Sequence, residues 1–307
     1  MWPRGVCTSG QVARRSGSQR RNASASGARS ESNGFDGLLR TEDSNYFQEH
    51  GYLIKRNYFE ISEISKINEA IDKTRNFKNN TKKQNNINNV DRKIVVWNEP
   101  GEDLLGVVPR LARLVDAMQL LLYDEVYHYH SKLTDVPIDG TGWMWHQDYG
   151  YWYQNSCLFP DMASVMVALD PCFINNGCLQ VISKSHKLGR LNHIEVTDKF
   201  LTINQERLKF ILNVLERVDC ELNQGDALFT HCNLLHASNK NISGRSRRTL
   251  ICCYNTKHNN PVIEHHHPCY KPLKKLADDS IKKYNVNKFK NDDDFIPDII
   301  EKYPTLM

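Results

Sequence analysis

The chain has 307 residues, 40% of them hydrophobic and 25% charged, as in an ordinary globular enzyme. No run of 18 apolar residues occurs, so no segment reads as a membrane-spanning helix. The formal charge of +4 is concentrated, because residues 1–30 carry six arginines and no acid. The remainder is slightly negative, which argues against nucleic acid as the main partner.

Residues 1–34 are rich in Arg, Ser, Ala and Gly and read as a disordered basic leader. The composition matches a mitochondrial transit peptide; a simple basic tail or a misassigned gene start fits it too, and the chain is then expected in the cytoplasm. Nine cysteines, an odd number without CxxC spacing, suit a reducing compartment. Residues 35–307 are expected to form a single domain.

Along that domain, Glu42–Gly51 reads as a helix stopped by glycine, followed by a short strand at Tyr52-Leu53-Ile54. Ile61, Ile64, Ile67 and Ile71 recur at helical spacing. Asn76–Asn89 is polar and reads as a loop. Asp103–Leu122 carries one apolar stripe, with Pro109 as a kink or the true start. From Tyr123 onward short strands alternate with turns. Candidates are Val126–Lys132, Trp143–Asp148, Ala163–Leu169, Leu179–Ile182, Val218–Leu222, Ala227–Thr230 and Thr249–Tyr254. A helix at Glu206–Arg217 interrupts them. The pattern predicts a mainly β protein, a jelly roll buttressed by N-terminal helices.

His146-Gln147-Asp148 falls in a strand candidate, where residues two apart share a face. An imidazole and a carboxylate are then offered to one metal. His231 and His236 compete as the third ligand. Arg247, eleven residues after His236 and opening an apolar run, favours His236, since a guanidinium beside the metal suits a dicarboxylate. Two His and one carboxylate form a facial triad that suits iron(II), although zinc accepts the same set.

The ordered segments Trp145-His146-Gln147-Asp148, Asn176–Lys187 and Gly225–Ser238, with Arg247 beyond them, resemble the phytanoyl-CoA dioxygenase family. That family shows WHxD, NGxLxxIPGSHK and GDxxxFxxxxxHxS in this order. The similarity runs from about residue 42 to 270; Ser183-Lys184 departs from the usual Pro-Gly. The resemblance implies a double-stranded β-helix (cupin-like) core. It also implies an Fe(II)- and 2-oxoglutarate-dependent dioxygenase that hydroxylates an unactivated C–H bond and releases succinate and CO2. His146, Asp148 and His236 match the iron ligands. Arg247, Ser238 and Lys132 match residues at the cosubstrate, O2 is the second cosubstrate, and ascorbate is a supporting reductant. Asp148 favours hydroxylation over halogenation, since related halogenases have Gly or Ala there.

Trp143, Trp145, Tyr149, Tyr151, Trp152 and Tyr153 surround the metal motif. They could line a pocket for a small cationic or zwitterionic molecule, or pack the core. Trp145, Tyr149 and Trp152 lie in a string resembling the WHSDFETW-type segment of ectoine hydroxylases, which favours an amino-acid- or imino-acid-like substrate. A branched acyl-CoA is the alternative; Thr305-Leu306-Met307 is not a peroxisomal SKL-type address. A non-catalytic metal-binding member of the fold and a zinc hydrolase also stand as alternatives. The partner is a small molecule, not nucleic acid or membrane, and the protein a monomer or homodimer. His265-His266-His267 reads as a loop, and Asp292-Asp293-Asp294 as a solvated charge run.

Overall fold

The computed structural model describes residues 38–73, 93–197, 200–263 and 266–284. The basic leader, the Asn76–Asn89 stretch, His265 and the Asp292–Asp294 run lie outside them. No helix among the described residues is long and apolar enough to cross a membrane.

Helix α1, Thr41–His50, opens where the Asp43 carboxylate accepts the Arg40 backbone N–H at 2.9 Å. It closes at Gly51, whose φ of 80° lets its N–H reach the Phe47 carbonyl at 2.7 Å. Strand β1, Tyr52–Lys55, follows at once. Helix α2, Ile61–Lys73, buries Ile64, Ile67, Ala70 and Ile71, as its periodicity predicts except at Ile61, which is exposed at the first position of the helix. Strand β2, Lys93–Trp97, was not anticipated.

The long helix expected at Asp103–Leu122 is three pieces. These are α3 (Leu104–Val107), a 3-10 turn at Val108–Arg110, and α4 (Ala112–Leu122). Pro109 has no N–H to give to an α-helical ladder, and the tighter turn absorbs it. Arg113 on α4 pairs with Glu63 on α2 at 2.9 Å, the two side chains only 3% and 1% exposed. The other Glu63 oxygen accepts the Glu60 backbone N–H, and the guanidinium lies over the Phe59 ring.

The remaining elements run β3 (Val126–Val136), α5 (Asp148–Gln154), β4 (Met162–Ala168), β5 (Leu179–Ile182), β6 (His193–Thr197), β7 (Phe200–Ile203), α6 (Gln205–Leu212), β8 (Arg217–Cys220), β9 (Ala227–His231), β10 (His236–Ser238), β11 (Arg247–Thr256) and α7 (Ser280–Lys283). Six strands form an antiparallel sheet ordered β1-β9-β4-β11-β3-β2, and three form a second ordered β10-β5-β8. Strands β6 and β7 make a separate hairpin.

Alternation along the large sheet decides which side each residue faces. Leu133, Val165, Phe229, Leu250 and Cys252 pack against Ile64, Ile67, Leu114 and Met118 of the helices. Met166, Ala168 and Leu228 turn the other way and meet Val181 and Cys220 of the small sheet and Cys178 just before it. This is the expected jelly roll, with helices on its outer face. All eight cysteines among the described residues are free.

Candidate metal centre and cosubstrate pocket

Trp143–Asp148 is not a strand. His146 and His236 form an isolated antiparallel bridge, each backbone N–H given to the other's carbonyl at 3.1 and 3.0 Å. Beyond it the Ser238 N–H reaches the Trp143 carbonyl, one residue out of register, and no regular ladder continues. The Trp145 carbonyl accepts from Ile203 N and Thr202 Oγ1, and the Met144 carbonyl from the His146 ring. Asp148 then begins α5. Ligand presentation therefore comes from a bridge and a helix start rather than from i, i+2 alternation.

The outcome is nonetheless convergent. One donor atom each of His146, Asp148 and His236 lies within 4.8 Å of the others, the only such group among the described residues. The ring centroids of the two histidines are 4.2 Å apart. His146 Nδ1 bonds the Met144 carbonyl at 2.7 Å, and His236 Nδ1 the Leu234 carbonyl at 2.9 Å. Those bonds place the proton on Nδ1 and leave each Nε2 lone pair for a metal. His236 Nε2 is 3.9 Å from Asp148 Oδ1.

The electrostatics suit a cation. Burial, reinforced by His236, pushes His146 well below the ordinary histidine range, so it is a neutral donor. Burial works to raise the Asp148 carboxyl, yet Lys132, His236 and His146 hold it below its usual value. Lys132 Nζ is 3.9 Å from Asp148 Oδ1. Burial works against its charge, and the Asp148 carboxylate still keeps the ammonium above its ordinary value. This set of two imidazole nitrogens and one carboxylate fits a divalent metal.

Arg247 opens β11 opposite Val136 and is 4% exposed. Its guanidinium bonds the Cys172 thiol, its Nε has no partner, and no described carboxylate pairs with it. A buried cation without a counter-charge is costly, so the pocket fits an anionic guest. Register places Lys132 beside Ile251, Thr134 beside Thr249, and Val136 beside Arg247. By alternation these share a face, and the Thr134 and Thr249 hydroxyls bond each other at 2.7 Å between the two cations. Sequence reading passed over both threonines. Their signal was the spacing Lys-x-Thr and Arg-x-Thr in adjacent strands. The Ser238 hydroxyl oxygen accepts the Trp143 N–H at 3.0 Å, which leaves its proton to give.

The aromatic residues divide. Tyr149 donates its hydroxyl to the Cys157 carbonyl, and Trp152 sits edge-on to Tyr129 and His130; both are buried. Trp145 packs with Ile182, Ile203 and Leu235. Trp143 and Tyr151 are the two whose rings lie against His146, at 6.0 and 6.1 Å. His231 is not in the metal group: burial pushes it down to about 3, and its Nδ1 accepts the Asn233 N–H. His266 and His267 lie in a bend, as expected of a loop, but His267 is buried and stacks on His130 with centroids 5.0 Å apart.

A model of the phytanoyl-CoA dioxygenase (PhyH) family matches residues 47–249. L-proline trans-4-hydroxylase of Streptomyces griseoviridis is 26% identical over 191 residues, covering 56% of this chain and 69% of that protein. Ectoine dioxygenase of Sphingopyxis alaskensis is 30% identical over 161 residues, covering 48% of this chain. The chain spans only about half of that relative's length, 52%. Among solved structures, EctD from S. alaskensis with 2-oxoglutarate and 5-hydroxyectoine superposes with a TM-score of 0.64 at 20% identity, over 79% of this chain and 89% of that one. These relatives are bacterial and lend no support to a mitochondrial address. With a family match over well more than half its length, the chain belongs to the phytanoyl-CoA dioxygenase family, and its relatives and structural neighbours are iron- and 2-oxoglutarate-dependent dioxygenases.

Proposed function

We propose that the protein is an Fe(II)- and 2-oxoglutarate-dependent hydroxylase acting on a small amino-acid- or imino-acid-like molecule. The observation that carries this reading is the pairing of a convergent His146–Asp148–His236 triad with a buried Arg247 that lacks a carboxylate partner. A non-catalytic binding protein or a zinc hydrolase gives no reason to keep an unneutralised guanidinium inside the jelly roll. The substrate class rests on the likeness to an L-proline trans-4-hydroxylase and to ectoine dioxygenases. A branched acyl-CoA remains the second reading, through the family's name.

In this reading His146 Nε2, Asp148 and His236 Nε2 hold the iron. When bound, iron and 2-oxoglutarate supply oxidation by O2, with succinate and CO2 as coproducts. The chain's own residues do the rest. The two Nδ1–H bonds fix the histidine tautomers, and Arg247 takes the distal carboxylate of 2-oxoglutarate, assisted by the Ser238 hydroxyl. Lys132 holds Asp148 ionised and extends the positive end of the cosubstrate pocket. Trp143 and Tyr151, against His146, form the nearest aromatic wall for substrate, with Trp145, Tyr149 and Trp152 behind as its support.

The test is succinate formation by the full chain with iron(II), ascorbate, 2-oxoglutarate and oxygen, against a panel of amino acids, proline analogues, cyclic zwitterions and acyl-CoAs. We expect stimulation by one amino- or imino-acid-like compound and none in His146→Ala. Stimulation by acyl-CoAs alone would overturn the substrate class. Absence of any 2-oxoglutarate turnover would overturn the hydroxylase reading.

A further inference from the structure

Gln147, the residue between the two neighbouring metal ligands, is fully buried, and every polar group it carries is engaged. Its Nε2 donates to the Gly189 carbonyl at 2.8 Å and to the Asn233 carbonyl at 2.7 Å. Its Oε1 accepts Leu191 N–H at 2.8 Å. Its backbone N–H goes to His193 Nε2 at 2.9 Å, and its carbonyl accepts from Gly150. Asn233 lies three residues before His236. One carboxamide thus ties the His146–Asp148 segment both to the loop that delivers the third ligand and to residues 189–193.

His193 completes the staple. Its Nδ1 bonds the Leu191 carbonyl at 2.9 Å, which fixes Nε2 as the acceptor that Gln147 needs. Its ring lies against Gly150 of α5. A Cβ there would stand 2.5 Å from the imidazole, so that position has room only for glycine.

We propose that Gln147, held by His193, is a positioning residue for the metal site: it sets the separation of the His146–Asp148 pair from His236. The inference rests on the triad being the metal site. Two carbonyls face the Gln147 NH2 group, so an apolar side chain of the same length leaves the buried Asn233 carbonyl without that donor, and the Gly189 carbonyl and Leu191 N–H without theirs. The loop carrying Asn233 is then free to drift from Asp148. Outer partners of metal ligands typically govern affinity by 10–100-fold.

The experiment titrates cobalt(II) into the full chain and follows its visible absorption, which reports both affinity and coordination without turnover. Gln147→Met is expected to bind one cobalt(II) with a dissociation constant raised about 10–100-fold and with altered band intensities. Gly150→Ala leaves the carboxamide intact and displaces only His193; we expect a weaker shift in the same direction. Cobalt binding by Gln147→Met within twofold of the unmodified protein, with the same spectrum, overturns the positioning role. If Gln147→Met does not fold, Gly150→Ala decides, and an unchanged dissociation constant there overturns it. His236→Ala must lose cobalt. If the unmodified protein binds none, the triad reading itself falls, a result distinct from a failure confined to the variants.

Discussion

Two buried arginines, one in the helical layer and one inside the jelly roll, have opposite surroundings. Arg113 is 3% exposed and closed off by Glu63, with the Phe59 ring beneath it. Arg247 is 4% exposed and meets a thiol, with no carboxylate among the described residues. The difference lies in the counter-charge. A cation neutralised within the protein serves the fold. One left without an anion is a place where an anion comes from outside.

That contrast can be broken by substitution. Glu63→Ala strips the internal counter-charge and should cost about 3–5 kcal/mol of unfolding free energy, read from urea melts. Arg247→Met should cost about 2–5 kcal/mol of 2-oxoglutarate binding, measured by titration of the metal-loaded protein. The same change should raise the stability of the ligand-free protein by about 1–3 kcal/mol, because it removes a buried charge that has no counter-charge. A loss of stability as large as that of Glu63→Ala would mean that Arg247 is structural after all.

Ligand linkage sharpens the point. With cobalt(II) bound, 2-oxoglutarate at a hundred times its dissociation constant should stabilise the unmodified protein by about 2.7 kcal/mol. It should stabilise Arg247→Met by no more than about 0.9 kcal/mol at the same concentration, as thermal melts would reveal. Glu63 variants, destabilised as they are, should keep the full ligand effect.

The smallest effect belongs to a charge cluster at the surface. His258 lies between Asp124 and Asp161, and hydrogen bonds to first the one and then the other raise its affinity for a proton. A histidine held above its unfolded value of about 6.5 contributes fully at lower pH and loses that contribution as pH rises through the folded value. Urea midpoints of the unmodified protein and His258→Gln should therefore differ most near pH 6 and converge as pH rises through the folded value. Added salt should shrink the gap, as it would not for Glu63.

Much of this was legible from local pattern. The isoleucine stripe of α2, the glycine stop of α1 and most strands of the two sheets follow from periodicity and turn residues, because those signals act within a few residues. The convergence of His146, Asp148 and His236 was also legible, since they fall in the ordered motifs that resemble the phytanoyl-CoA dioxygenase family. Strands β2, β6, β7 and β10 were not, being short and set by their partners. The helix start at Asp148 was hidden as well, because the single bridge before it joins His146 to His236, far apart in the chain.

The sequence by itself determined which groups could carry charge and hold a metal: two histidines, one carboxylate, a lysine and an arginine beside apolar runs. Only the tertiary structure decided which of them lack internal partners. It paired Arg113 with Glu63 and left Arg247 open, engaged every polar group of Gln147, and turned Tyr149 and Trp152 into the core while Trp143 and Tyr151 stayed at His146. The reason is that satisfaction of a buried polar group depends on atoms far apart in the chain, such as Gln147 and Asn233, and no spacing rule along one strand of sequence records it.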